Sequence, residues 1–277
     1  MKIQTNTAAN TALRFASANA QATERSIQRL SSGFRINRAG DDAAGLAIAN
    51  GMRADVRGLQ QAQRNTSQAM SMLQTMDGGA QTISTILDRM KELATQANSS
   101  NAGGDAKANL DAEFQALVSE IDRIVGSTTY QGQKLLDGST TFNFQVSASE
   151  SGAGDDMIEI DTTANVVLGS DDLAVDGQDL TTAAGAATAL AAVDAAVKLV
   201  GTALGDIGAA QSRMDFAATN VATMLENTQA AESTVRDANM AEEMTRFTKN
   251  NILQQAAQSM LAQANQGQQG ILQLLRG

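Results

Sequence analysis

The 277-residue chain has no proline, cysteine, histidine or tryptophan, and aromatic residues make up only 3% of it. Each absence excludes something. Without proline, no helix is broken by ring clash and a missing donor, and no X–Pro isomerisation slows folding. Without cysteine there is no disulfide framework and no thiol nucleophile, and without histidine the usual zinc ligand sets disappear. Ser-His-Asp and HExxH chemistry are excluded with them. A Ser-Lys or paired-Asp site is the hydrolytic chemistry left, so the expectation is no enzyme, no cofactor and no metal. The scarcity of aromatics argues against one large jigsaw core. No window approaches the roughly 18–20 apolar residues of a membrane span, so membrane insertion is not expected. The opening MKIQTNTAAN lacks the apolar stretch of a cleaved secretory signal.

Ala, Gln, Leu, Met and Ser dominate, a composition suited to helices packed along their length. The net charge of −10 is unevenly spread. Residues 1–64 carry nine Lys/Arg against four Asp/Glu; residues 139–189 carry nine Asp/Glu and no Lys/Arg. The acidic middle reads as a solvated outer surface. The basic start has scattered arginines without interleaved aromatics, which argues against a nucleic-acid partner.

Apolar residues recur at alternating spacings of three and four over most of the chain. Residues 9–34 carry a thin heptad seam that includes Leu13, Ile27, Leu30 and Phe34. From Ile48 a longer seam runs through Met52, Leu59, Ala62, Thr66, Ala69, Leu73, Met76, Ala80, Ile83, Leu87, Met90, Ala94 and Ala97. It predicts a helix of about 50 residues, ~75 Å long, and hence an elongated molecule. Gly78-Gly79 is expected to soften its middle, and the cluster Asn98–Gly104 to end it. Leu110, Phe114, Leu117, Ile121 and Ile124 mark a third helix that folds back as a hairpin. Phe142, Phe144 and Val146 alternate as a strand whose partner holds Met157, Ile158 and Ile160. Residues 165–185 read as loop. Helical spacing returns at Leu190 and runs to Val235, with Gly201, Gly205 and Gly208 expected to admit a close neighbour. After Arg236-Asp237-Ala238-Asn239 the register changes, and Leu253, Met260, Ile271, Leu274 and Leu275 continue a thin, Gln-rich seam. The methionines at seam positions are core filler.

The predicted fold is therefore mainly α: an elongated helical bundle or coiled coil with a small β-hairpin region and terminal helices that pair with each other. Residues 1–44 and 236–277 form one domain, 45–139 and 190–235 a bundle domain, and 140–189 a short acidic β/loop region. Between the first two helices lies RLSSGFRINRAGDDAAGLAIAN, residues 29–50, a joint built on Gly33, Arg35, Asn37, Arg38, Gly40, Asp41 and Asp42. The Asp pair suits the N-terminus of the helix from Ala43 better than acid–base work. The arginines suit pairing with acidic neighbours. The terminal seams bury too little area to offset ordering entropy by themselves, so they await partner helices.

RLSSGFRIN at 29–37, DDAAGLAIAN at 41–50, QRNTSQAMSMLQTMDGGAQTI at 63–83, LDRMKELATQ at 87–96, SEIDRIVGSTTYQGQKLLDG at 119–138 and ILQQAAQSMLAQANQGQQGILQLLR at 252–276 resemble the conserved regions of bacterial flagellin. The resemblance covers roughly residues 1–147 and 190–277. It implies a secreted, extracellular subunit of the flagellar filament that self-assembles for motility. Terminal helices would line the channel, and the outer insertion is cut down to 140–189. It also implies an export apparatus and export chaperone, filament-cap and hook-junction proteins as partners, and two subunit packings that make a supercoil. The alternative of similar ends is a hook–filament junction protein. LDRMKELATQ matches the block contacted by Toll-like receptor 5 in many flagellins, which carries over to Arg89 and Leu93, and Glu113 on the next helix matches a further contact. The chain departs from the family at Lys91, where Arg is usual, at Gly267-Gln268-Gln269, where a proline is common, and at the final Gly277.

Overall fold

The structure is a computed structural model of the chain; it describes residues 6–99, 103–148, 156–163 and 166–274, with side chains as far as residue 267. Five helices account for most of it: α1 (Thr7–Ser32), α2 (Ala43–Asn98), α3 (Gly104–Ser127), α4 (Ala183–Arg236) and α5 (Met240–Leu274). Four short strands form two antiparallel pairs. They are β1 (Thr129–Tyr130) with β2 (Gln133–Lys134), and β3 (Thr141–Gln145) with β4 (Met157–Asp161). The fold is mainly α with its terminal helices paired, as the sequence predicts.

The helix ends are set locally. The Asn6 side chain accepts from the Ala9 amide at 3.0 Å to cap α1, and Gly33 at φ +75° closes its other end by donating to the Arg29 carbonyl at 2.8 Å. A left-handed residue at this position is most cheaply a glycine. Thr182 caps α4 through the Gly185 amide at 3.0 Å. Asn239 accepts from Ala241 and Glu242 at 3.1 and 3.3 Å to start α5, whose first turn also carries Glu242 and Glu243 against the positive dipole end.

The chain divides into two compact units, residues 55–226 and residues 1–54 with 227–277. Residues 55–226 hold one large core and a smaller cluster of Leu59, Ala62 and Val221. On α2 every seam residue from Leu59 to Ala97 is buried, Thr66 included. α3 adds Phe114, Val118, Ile121, Ile124 and Val125, and α4 adds Val193, Ala196, Val200, Ala203, Ile207 and Met214. The β1–β2 turn places Gln131 and Gly132 at φ +52° and +82°, the positive pair of a tight primed turn. It delivers Leu135 and Leu136 fully buried into the core. In the second pair Phe142 faces Ile160 and Phe144 faces Ile158, cross-strand contacts of the kind that stabilise a small sheet.

Several expectations are corrected. The acidic stretch is not merely an outer surface: Ile160, Val166, Leu168, Leu173, Val175 and Leu180 are buried in this core. Asp122 on α3 holds it there by accepting from the Ser170 amide and hydroxyl at 3.0 and 2.8 Å, and Asp111 accepts from the Leu180 amide at 2.9 Å. α4 starts at Ala183, earlier than Leu190. α2 runs unbroken through Gly78-Gly79. There the missing side chain serves packing, since a Cβ on Gly79 would lie 2.8 Å from Leu136. No neighbour closes on Gly201, Gly205 or Gly208, where a Cβ would meet nothing within 4 Å among the described residues. Finally, α4 is long and apolar enough by composition to cross a membrane, with an 18-residue window of mean hydropathy 1.6, of which 28% is buried. Alanine supplies much of that hydropathy, and Ala186, Ala189, Ala196 and Ala203 lie buried in the core. The turn cluster at Asn98–Gly104 ends α2 as expected, the helix stopping at Asn98, whereas the acidic loop expected over Ser149–Asp156 falls largely outside the described residues.

Candidate functional site

The other unit is built differently. In residues 1–54 and 227–277, the buried apolar residues among those described are Ile36 and Ala49 alone. α1 packs along α5, and the Asn6 side-chain amide donates to the Ala264 carbonyl at 3.1 Å. Yet the predicted seam residues Leu13 and Ile27 on α1, and Leu253 and Met260 on α5, remain 41–65% exposed, and Leu30 and Phe34 are half-buried. Phe15 and Ile252 are exposed as well. Shallow apolar depressions run between the helices, one lined by Thr11, Phe15, Ala257 and Met260. The side chains of Ile271 and Leu274 lie outside the described residues, as does Leu275.

What holds this pair is polar and lies at its base. The segment after α1 is laced to the segment after α4 by backbone hydrogen bonds. The Arg35 amide donates to the Arg236 carbonyl at 2.7 Å, the Ala238 amide donates to the Gly33 carbonyl at 2.9 Å, and Phe34 bridges Asp237. The Arg35 guanidinium reaches the Val235 carbonyl at 2.7 Å. The Arg236 guanidinium is 4.2 Å from the Phe34 ring centroid, within the range of a cation–π contact. One turn into α5, the buried Glu243 carboxylate accepts from the buried Ser26 hydroxyl at 2.6 Å and pairs with Arg29 at 3.7 Å and Arg246 at 3.9 Å. A short hydroxyl–carboxylate bond of this kind is among the stronger hydrogen bonds.

Within the predicted joint, the two aspartates divide their work. Asp42 accepts from the Gly45 amide at 2.9 Å and caps α2. Asp41 turns back and accepts from the Arg38 and Asn37 amides at 3.1 and 3.2 Å. The Arg38 amide, with the Asn37 amide and the charges of Arg29 and Arg25 behind it, holds the Asp41 carboxyl below the usual carboxylate range. Asn37 donates to the Ser32 hydroxyl at 3.1 Å. Gly33 has the left-handed backbone; Gly40 does not.

The lacing partners Val235, Arg236 and Ala238, and the Ser26–Glu243 contact, were not foreseen from sequence. The available signal was Asn239 followed three residues later by Glu242, a helix-start pattern.

The residues of the receptor-like block belong to the other unit. Arg89 donates from Nε and Nη2 to Glu113 Oε1 at 3.0 and 2.9 Å, and from Nη1 to Glu92 at 2.9 Å. Glu113 first, then Glu92, raise the guanidinium pKa above its usual value. Lys91 pairs with Asp194 at 2.6 Å. Leu93 is 1% exposed, so of the three expected contacts only Arg89 and Glu113 present side chains to a surface.

Comparison with known proteins gives these features a family. The bacterial flagellin N-terminal helical region matches residues 3–141, and the bacterial flagellin C-terminal helical region matches residues 190–275. The chain is 44% identical to a flagellin of Halalkalibacterium halodurans and 38% identical to a flagellin of Bacillus subtilis, over the full length of both chains in each case. It is 35% identical to the flagellar filament 30.7 kDa core protein of Treponema maltophilum over 99% of this chain and 100% of that one. The crystal structure of Bacillus cereus flagellin is similar over 61% of this chain and 94% of its own, with 31% identity and a TM-score of 0.50. With helical regions matched at both ends and full-length relatives well above 30% identity, the chain belongs to the bacterial flagellin family.

Proposed function

We propose that the chain is a structural subunit that polymerises with copies of itself into the extracellular flagellar filament. The observation that carries this reading is the paired terminal helices, which leave Leu13, Ile27, Leu253 and Met260 exposed while fully burying no apolar side chain of their own among the described residues. Such faces gain free energy only when other helices cover them, at about 25 cal/mol per Å² of apolar area. A contact between different faces of identical subunits that fails to close into a ring generates a helical filament. The filament protein named among the relatives supports the same reading.

The test is electron microscopy of the purified chain after induced polymerisation. Long filaments with a central channel are expected. Failure to elongate alone, with extension only on a pre-existing hook end, would favour a hook–filament junction protein. Passage through an export apparatus with an export chaperone, and contact with filament-cap and hook-junction proteins, belong to the same proposal.

A second reading concerns Toll-like receptor 5. The exposed Arg89–Glu113 pair is the supporting feature, with Leu93 acting through packing beneath it. Replacing Arg89 and Glu113 together by alanine is expected to weaken binding of the monomer to the receptor ectodomain at least tenfold, leaving its melting temperature unchanged. Unaltered affinity would remove these residues from the contact.

A further inference from the structure

Residues 55–226 carry an exposed aromatic side chain and, elsewhere, an aromatic pocket that no contact among the described residues brings together. Phe216, on α4, is 77% exposed, the most exposed of the large apolar side chains among the described residues. Arg213 and Asn220, one turn to either side on the same helical face, are exposed and polar. The side chain therefore stands as an apolar knob with a polar surround.

The pocket lies where the two β-hairpins meet α2. Met72, Tyr130, Phe142 and Phe144 line it together with the exposed Gln68, Gln131 and Gln133. Its volume is about 160 Å³. An apolar cavity of about 150 Å³ accommodates benzene, so the size is that of one phenyl ring. Walls of Tyr, Phe and a buried Met suit the edge and face of an aromatic ring, through offset aromatic contacts and sulfur contacts at the ring edge.

We propose that Phe216 of one subunit inserts into the Met72–Tyr130–Phe142–Phe144 pocket of a neighbouring copy of this chain. The proposal rests on the polymer reading above. A knob and a hole at different places on one surface make a heterologous contact, which propagates rather than closing on itself. An aromatic anchor in a desolvated pocket with polar neighbours is also the arrangement that concentrates binding energy in one residue. The hairpins acquire a role from this: they form part of the pocket that receives the next subunit.

Three measurements on the full chain test it. Phe216→Ala is expected to leave monomer helix content and melting unchanged and to raise the critical concentration for polymerisation at least tenfold. Gln68→Trp, which lays a bulky ring over the pocket from an exposed helical position, is expected to do the same. Because the chain has no cysteine, Gln133→Cys and Asn220→Cys chains can also be mixed, polymerised and treated with a short bismaleimide. Covalent dimers are expected from the mixture and from neither chain alone. A wild-type critical concentration for Phe216→Ala with no dimers from mixed filaments overturns the proposal while leaving the polymer reading intact. Impairment by Gln68→Trp but not by Phe216→Ala also overturns it, since another segment then fills the pocket. If the unaltered chain forms no filaments, the polymer reading fails and this contact with it.

Discussion

Gly33 and Gly40 flank the same short loop and look alike in the sequence, but only Gly33 needs to be glycine for its backbone. At φ +75° it ends α1 and presents the carbonyl that receives the Ala238 amide. Gly40 lies outside the left-handed region, and a Cβ there would meet nothing within 4 Å. Gly33→Ala is therefore expected to destabilise the monomer by about 1 kcal/mol or more, because alanine at positive φ is strained. Gly40→Ala is expected to be neutral or mildly stabilising through reduced unfolded-state entropy. Urea denaturation of the two variants separates the cases, and similar loss in both would remove Gly33 from its special place. Because the Gly33 carbonyl is part of the lacing between the α1 and α4 ends, Gly33→Ala should also raise the critical concentration for assembly; Gly40→Ala should not. The division between Asp41 and Asp42 follows the same logic. Adjacent carboxylates of one residue type do different jobs because one sits at the helix start and the other one position outside it.

At the scale of elements, what was legible was whatever local spacing controls. The α2 seam was read almost residue by residue from Leu59 to Ala97 because its large side chains recur on one helical face. The two strand pairs were legible because Phe142 and Phe144 alternate opposite Ile160 and Ile158. The α4 face was read slightly out of place. Leu190, Val197 and Leu204 are only half-buried, while Ala189, Ala196 and Ala203 take the centre. Small residues let helices approach closely, so hydrophobicity alone puts the stripe beside its true line. The stretch from Val166 to Leu180 was misread because its apolar residues are isolated among acidic ones. Its burial depends on Asp111 and Asp122, which lie about 50–70 positions away and have no local signature. The candidate site was half legible for the same reason. Leu13, Ile27, Leu253 and Met260 follow from periodicity, whereas the backbone lacing of 33–35 to 236–238 joins segments too short to show any period.

At the scale of the whole molecule, the two units differ in what sustains them. Residues 55–226 bury Phe114, Leu87, Ile83, Met76 and Leu136 completely, and truncating one such side chain to alanine costs about 2–5 kcal/mol. The helices of the other unit must offset roughly 1–2 kcal/mol of backbone entropy per ordered residue, yet their seams stay largely open to water. Burial is therefore unequal along one chain, and local opening should be unequal with it. In native-state hydrogen exchange of the monomer, amides of α1 and α5 are expected to exchange orders of magnitude faster than those of α2 between Leu59 and Ala97. The Ser26–Glu243 contact and the lacing at Arg35–Arg236 should make the base of the pair the slowest part of its unit. After polymerisation, protection should rise throughout α1 and α5 and change little in the α2 core. Equal protection of both units in the monomer would mean that the terminal helices are stable without neighbours. Assembly would then dock preformed surfaces rather than complete a half-covered one.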